Sequence, residues 1–453
     1  MNFRDLSFDH APSIRVTPPG PRSQEFLDAQ ASHEGSAVSY PRGMPMALQR
    51  GRGATVEDVD GNVYIDCFGG AGVMAVGHSH PAVVEAAVKQ MGELTHALDF
   101  PTPARRKLVD ALRPLLPQGM SRLFFGGPTG SDAVESAIKL AKLNTGRTPI
   151  IAFEGGYHGM TSGALAVGSG RQFKERFLPL LPDVHFVPYA YCYRCAFGTT
   201  PERCQTQCAA YLEHVLEDPH SGVSTPAAVI VEPIQGEGGS IVPPPEFLPK
   251  VREACDRHGV LLIADEIQAG FCRTGRMFAV EHTGTLPDIM TMSKALGGIG
   301  LPISAIAYRE ALNTWTRGAH IGTFRGHVVA YAAGAAALEF MVKEDLAAHS
   351  ARLGGLMLDW LKEIERDSPF VGETRGKGLM IGVEFVKDRA TRQPAPDLAS
   401  RVRTLCHQRG LLIEIGGHYS NVARLLPPLV ITDDLARKAV EILVDAVRCL
   451  ELT

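Results

Sequence analysis

The sequence predicts an α/β fold, a mostly parallel sheet flanked by helices, joined to a smaller α+β domain. Two observations carry this. From about residue 75 to 340, short apolar runs alternate with segments of helical periodicity, as strand–helix–strand crossovers require. Beyond about 345 the pattern changes to a long amphipathic helix, short strands and a terminal helix. Residues 1–60 are therefore expected to form an N-terminal segment with part of the small domain. Residues 61–340 form the large α/β domain, and 341–453 the C-terminal α+β domain.

Taken in order, residues 1 to about 45 are rich in proline and polar residues and are expected to wrap over a neighbouring surface. Ala54–Asp66 alternates and carries an Asp-Gly-Asn turn, so it predicts a hairpin. Strands are expected at Arg122–Phe125, Pro149–Phe153, Val184–Val187, Ala227–Val231, Val260–Ala264, Ile289–Met292 and Ile303–Tyr308, with helices between most of them. The smaller domain should hold a helix at Leu346–Asp367, strands near Gly378–Glu384 and Leu411–Ile415, and a last helix at Asp433–Leu450. No internal repeat or low-complexity segment is found.

At 453 residues, 45% apolar and 21% charged, the chain has material for a large core. Its formal charge of −4 gives no general attraction to nucleic acid or anionic membrane. No apolar run of about 18 residues is present to span a bilayer, and the first twenty residues lack the apolar stretch of a secretion signal. A cytoplasmic location is expected. Of nine cysteines, Cys67, Cys255, Cys272, Cys406 and Cys449 read as small buried apolar residues. Cys192, Cys195, Cys204 and Cys208 are spaced C-x2-C-x8-C-x3-C, which fits either a structural zinc knot or a loop of reduced thiols. No metal is assigned to the chemistry.

Several strand ends deliver polar residues. Phe124–Glu135 reads as strand, glycine-rich turn and helix, with Thr129-x-x-Asp132 as a capping box. Free N–H groups at Gly130 and Ser131 would seat a phosphate, although the same pattern also describes a plain strand–turn–helix junction. Tyr157, in Gly-Gly-Tyr-His-Gly, offers either a ring for stacking on a flat heterocycle or a half-buried turn residue. Glu232 and Glu237 follow another strand, where open sheets bind ligands; capping of loop N–H groups is the plainer use of Glu232. Asp265 ends Gly-Val-Leu-Leu-Ile-Ala-Asp, and Lys294 ends Pro-Asp-Ile-Met-Thr-Met-Ser-Lys. A lone lysine is usually a solvated surface residue, but this one closes an apolar strand and precedes Gly-Gly-Ile-Gly. An amine and a carboxylate so placed are what pyridoxal phosphate requires: the lysine forms an imine, and the acid keeps the pyridine nitrogen protonated.

Together the segments resemble the class III aminotransferases, fold-type I pyridoxal phosphate (PLP) enzymes that include ornithine, 4-aminobutyrate and diaminobutyrate aminotransferases. The resemblance runs from about residue 45 to 430. It is carried by Glu232-Pro-Ile-Gln-Gly-Glu-Gly-Gly, Asp265-Glu-Ile-Gln-Ala-Gly-Phe-Cys-Arg-Thr-Gly and Ser293-Lys294. It implies that Lys294 bonds the cofactor and shuttles protons, that Asp265 pairs with the pyridine nitrogen, and that Gln268 faces the ring oxygen. It further implies that Gly130 and Ser131 hold the phosphate and that Tyr157 stacks on the ring. Thr323 would complete the phosphate site of a partner subunit, so a homodimer with shared active sites is expected. Arg424 would clamp a substrate carboxylate, with Glu237 set against it when the substrate offers none. Arg325, in Gly-Thr-Phe-Arg-Gly-His, leans toward the diaminobutyrate branch, and Arg325 and Phe68–Met74 are expected in the pocket wall. Cys272 stands where glycine is usual.

The expected activity is ping-pong transfer of an amino group between an amine (a diamino acid, ω-amino acid or amino sugar) and a 2-oxo acid such as 2-oxoglutarate. The cysteine-bearing insertion is similar to a branch that also holds racemases, so racemisation or epimerisation on the same machinery is the alternative. A non-enzymatic scaffold fits less well, because every expected polar residue is present.

Overall fold

A computed structural model describes residues 3–450. Its centre is a seven-stranded sheet of Met120–Phe125 (β1), Ile150–Phe153 (β2), Val184–Val187 (β3), Ala228–Val231 (β4), Leu261–Asp265 (β5), Ile289–Met292 (β6) and Ala305–Arg309 (β7). The spatial order is β1-β7-β6-β5-β4-β2-β3. The pairs β3–β2, β2–β4, β4–β5 and β5–β6 are parallel, whereas β7 runs antiparallel to both β6 and β1. Strands β2, β4 and β6 are buried along their whole length, as strands covered by helices on both faces must be. All seven predicted strands are present, displaced at their ends by no more than a residue or two.

The helix Val328–Lys343 is apolar almost all round and is packed between the sheet and the helices Pro81–Glu93 and Pro103–Leu112. The predicted Ala54–Asp66 hairpin is found as Thr55–Asp58 against Val63–Asp66. Asp58 holds its turn by accepting from the N–H groups of Asp60 and Asn62, both at 2.9 Å. The hairpin also pairs with Leu48–Arg52 on one side and, in parallel, with Leu411–Leu412 on the other. This small sheet therefore joins the two ends of the chain. The N-terminal segment wraps as expected: Ser13 bridges to Val63, and the Asn62 side chain accepts from the N–H groups of Arg15 and Val16. It also contains a helix, Pro21–His33.

In the C-terminal region the helix Leu346–Asp367 lies where the sequence places it. A third sheet runs Val371–Lys377, Met380–Asp388, Val422–Leu425, Glu414–Gly416, antiparallel throughout. The predicted single strand at Leu411–Ile415 is in fact divided: Leu411–Leu412 joins the small N-terminal sheet and Glu414–Gly416 joins this one. No described helix is long and apolar enough to cross a membrane.

The cysteine-bearing insertion docks on the third sheet. Tyr191 and Arg194 both donate to Glu384, and Cys208 is packed into the core beneath β3. All four of its cysteines are free thiols, and among the described residues no three thiol, imidazole or carboxylate groups gather as a metal site.

The closest backbone approach in this region is between Gly354, in the Leu346–Asp367 helix, and the turn at Gly378. A Cβ at position 354 would stand 2.0 Å from the Gly378 carbonyl oxygen. Gly354→Ala is therefore expected to destabilise the fold by about 1–3 kcal/mol, as overpacking does; urea unfolding of the two proteins checks this.

Candidate active site

Three neighbouring strands deliver their last polar groups to one edge of the sheet. Glu232 follows β4, Asp265 ends β5, and Ser293-Lys294 follow β6. The helix Gly130–Thr145, entered from β1, brings its N-terminus to the same edge. Between them opens a cavity of about 730 Å³ whose wall includes Gly130, Ser131, Tyr157, Glu237, Asp265, Gln268 and Lys294. Seven of the nine predicted site residues are thus brought together.

Asp265 is 3% exposed and fully hydrogen-bonded. Its Oδ1 accepts from Thr291 Oγ1 at 2.9 Å and from the Ile267 N–H at 3.1 Å, and its Oδ2 accepts from His158 Nδ1 at 2.6 Å. Thr291 sits directly opposite Asp265 across the β5–β6 pair, so strand register alone sets that contact. Burial acts to lower the His158 pKa, but the hydrogen bond and charge of Asp265, helped by Glu232, outweigh it and raise the imidazole above its ordinary value. Glu232 does the capping the sequence suggests: its two oxygens accept from the N–H groups of Tyr157 and Gly236, at 2.9 and 2.8 Å. Burial nevertheless pushes its carboxyl up to about 7, with Asp265 adding to the effect and His158 opposing it.

Lys294 follows β6 with φ +42°, a left-handed conformation that turns its side chain into the cavity. Its Nζ donates to the Ala71 carbonyl at 3.0 Å, and Gln268 Nε2 donates to the same oxygen at 3.0 Å. Ala71 presents that carbonyl from a run, Gly69–Gly72, in which all four residues have positive φ. Asp66 pins the start of this run by accepting from the N–H groups of Phe68 and Gly69. Burial lowers the Lys294 pKa; Arg424 lowers it further, while Glu414 and Glu237 pull the other way.

At the helix N-terminus the predicted capping box is formed, with Asp132 Oδ2 accepting from the Thr129 N–H at 2.9 Å and from Thr129 Oγ1 at 2.6 Å. Gly130 packs closely on Ile267: a Cβ there would stand 3.0 Å from Ile267 Cδ1, so that side chain would have to shift slightly. Ser131 Oγ accepts from the Met160 N–H at 3.1 Å and so ties the Tyr157–Gly159 loop to this helix. The Tyr157 ring meets Phe173 edge-on, with centroids 5.5 Å apart.

Arg424, 1% exposed, lies behind the cavity wall rather than in it. One nitrogen, Nη2, donates to both Glu237 and Glu414 at 2.5 Å, and Nη1 reaches Gln268 Oε1 at 3.4 Å. Glu414 is the directly opposed cross-strand neighbour of Arg424, and sequence reading missed it. Recognising Glu414–Gly416 and Val422–Leu425 as a hairpin around Gly-His-Tyr-Ser-Asn would have found it. His158 and the Ala71 carbonyl were also missed as partners; the positive-φ run was signalled only by Gly-Gly-Ala-Gly.

Two residues lie outside this chain's cavity: Thr323, whose expected role is in a partner subunit's site, and Arg325, whose expected place in the wall is not borne out. Thr323 is exposed, its carbonyl accepting from His96 Nε2 at 2.6 Å, and it does not line the cavity. Arg325 is no part of the wall either. It forms a two-point ion pair with Asp99, donates to the His320 carbonyl and stacks on Phe124 at 5.2 Å, so its charge is spent on holding this loop. Cys272 adopts φ +68°, a conformation that glycine takes without strain.

The residues present suit a flat, anionic aldehyde. A buried amine, a hydrogen-bonded buried acid, a helix N-terminus and an aromatic ring all reach one cavity. Fold and site thus define a PLP-dependent transferase of fold type I. The family model for class III aminotransferases matches residues 37–447, and the chain belongs to that family. It is 44% identical to a diaminobutyrate–2-oxoglutarate aminotransferase of Haemophilus influenzae, covering 89% of this chain and 90% of that one. It is 43% identical to one from Rhizobium meliloti, over 90% and 89% of the chains. An alanine/serine racemase of Pyrococcus horikoshii is 34% identical over 96% and 93%. Among solved structures, an amine transaminase from an uncultivated Pseudomonas species, in its PLP-bound form, superposes with a TM-score of 0.85 at 33% identity, over 92% of this chain and 97% of that one. The protein is a PLP-dependent aminotransferase.

Glu232 yields a pH prediction. Its folded pKa lies above the unfolded value, so its protonated form stabilises the fold at low pH, and that contribution is lost as pH rises from about 4.5 to about 7. Glu232→Gln removes this titration. The Tm of the variant minus that of the wild type should therefore increase between pH 4.5 and 7, as thermal melts across that range would show.

Proposed function

We propose that the protein transfers the terminal amino group of a diamino acid, such as 2,4-diaminobutyrate, to 2-oxoglutarate, releasing an aldehyde from the donor and glutamate from the acceptor. The observation that carries this reading is the sharing of Arg424 between two carboxylates. A guanidinium fork is made for a substrate carboxylate, yet unpaired in a buried site it would be costly. Glu237 and Glu414 hold it while an amine end occupies the cavity, and a 2-oxo acid would displace them. A site that must accept two substrates of unlike charge in turn needs such an exchange. A racemase, which takes and returns one amino acid, does not. The names of the relatives at 43–44% identity point the same way.

Lys294 would hold PLP, Asp265 would face its pyridine nitrogen, Gln268 its ring oxygen, and Gly130 and Ser131 its phosphate, with Tyr157 against the ring. When bound, PLP supplies an electron-accepting ring that acidifies the C–H bond beside the transferred nitrogen. The chain supplies the rest. Nζ of Lys294, its pKa lowered by burial, takes that proton and returns it in the other half-reaction. His158 keeps Asp265 oriented, and the Ala71 carbonyl aims Nζ and Gln268 together. Thr323 stands beside exposed Ile321 and Phe324, an apolar surface suited to a second copy of the chain; in a homodimer it would reach the partner's phosphate seat. The division into a 61–340 cofactor domain and a 341–453 domain, and a cytoplasmic location, accord with this reading.

A panel of amine donors with 2-oxoglutarate, read as glutamate formed, tests the proposal. 2,4-Diaminobutyrate should be among the best donors, and no glutamate from any diamino acid would refute it. Incubation with a single L-amino acid and no 2-oxo acid should leave its chirality unchanged. Lys294→Ala should lower kcat by about a thousandfold or more, through loss of the proton carrier.

A further inference from the structure

Because Arg424 lies behind two carboxylates, the guanidinium that faces the cavity directly is a different one, Arg403. It is carried by the helix Pro396–Gln408, which packs against Tyr40–Gly43. Gly43 makes room for it, since a Cβ there would stand 2.4 Å from Arg403 Cζ. Nε of Arg403 is buried without a partner, and its only side-chain hydrogen bond among the described residues is a long one, 3.4 Å from Nη2 to Ser400 Oγ. A guanidinium half-withdrawn from water with no carboxylate on it is unfavourable, and its planar fork is the shape that binds one bidentately. Glu414 lines the same cavity. Its Oε2 is engaged by Arg424, while its Oε1 takes no hydrogen bond among the described residues.

We infer that Arg403 and Glu414 read the far end of the donor, Arg403 taking its carboxylate and Glu414 its second ammonium group. The pair thereby selects a diamino acid over a plain diamine, which has no carboxylate, and over a monoamino acid, which has no second ammonium. This rests on the amino transfer proposed above. The two residues also divide the half-reactions between them. The distal carboxylate of a 2-oxo diacid suits Arg403 as well, whereas that acceptor has no ammonium for Glu414. Both are specificity residues, and neither handles the transferred proton.

The test is steady-state kinetics of the holoenzyme with 2-oxoglutarate and three donors: 2,4-diaminobutyrate, 4-aminobutyrate and 1,3-diaminopropane. Glu414→Gln should reduce the preference for 2,4-diaminobutyrate over 4-aminobutyrate by about tenfold or more, the scale of one charge-assisted hydrogen bond, and should not raise the KM for 2-oxoglutarate, because a carboxylate that the acceptor displaces from Arg424 has lost its charge. Arg403→Met should reduce the preference over 1,3-diaminopropane by a similar factor and raise the KM for 2-oxoglutarate. Arg403→Lys and Glu414→Asp, which keep the charge, should fall between, and they stand in for a parent variant that does not fold. Preference ratios unchanged in both variants, or equal loss with every donor, would overturn the inference while wild-type transfer from the diamino acid upholds the proposed function. A wild type that transfers from none of the three sinks both.

Discussion

A carboxylate buried among apolar strands is tolerable only when hydrogen bonds replace the water it has lost. Asp265 meets that condition through three donors from three directions: Thr291 on the next strand, the Ile267 N–H in the following turn, and His158 on a separate loop. The cavity follows from this requirement. To reach Asp265, the His158 loop must fold over the sheet edge, and that brings Tyr157 into the wall. Glu232, which accepts from the Tyr157 N–H, fixes the same loop from the other side. The imidazole raised by its carboxylate neighbours and the carboxyl pushed up by burial are two results of one crowded set of charges.

The same economy governs the opposite wall. Arg424 is fully buried, and two glutamates offset its charge while remaining in contact with the cavity. Gly416 lets this happen, because a Cβ there would stand 2.6 Å from Arg424 Nε. The pocket therefore holds more acidic than basic groups around Arg424, which lies on a strand, and a second guanidinium, Arg403, reaches it from the helix Pro396–Gln408. In the proposed reaction this arrangement of charge would serve exchange between ligands of unlike charge rather than rigidity.

Much of the fold was legible because the strands of a doubly covered sheet are short apolar runs that stop at a polar residue, as β5 stops at Asp265. Less was legible in the C-terminal region. Val371–Lys377 reads Val-Gly-Glu-Thr-Arg-Gly-Lys, a half-exposed strand without an apolar run, and Leu411–Ile415 is one apolar run shared between two sheets. In the site, residues that follow strands were found from sequence. Those whose role depends on which strand lies alongside were not. Glu414 gains its role only from standing opposite Arg424, and Arg403 is an ordinary exposed-face arginine until its helix is set against Tyr40–Gly43. Arg325 erred the other way: its motif suggested the pocket, but Asp99, distant in sequence, claims its side chain.

The loop that presents the Ala71 carbonyl has a particular dependence. Its entrance at Cys67 is held by backbone bonds to Leu412 and Leu426, near the far end of the polypeptide, and the groups it serves, Gln268 and Lys294, lie 197 and 223 residues downstream of it. The loop is thus shaped by contacts between segments far apart in sequence, whose closure carries a larger entropic cost than local pairing does. A chain in which the central sheet has formed but Leu412 and Leu426 have not yet docked would carry Lys294 without the carbonyl that aims it.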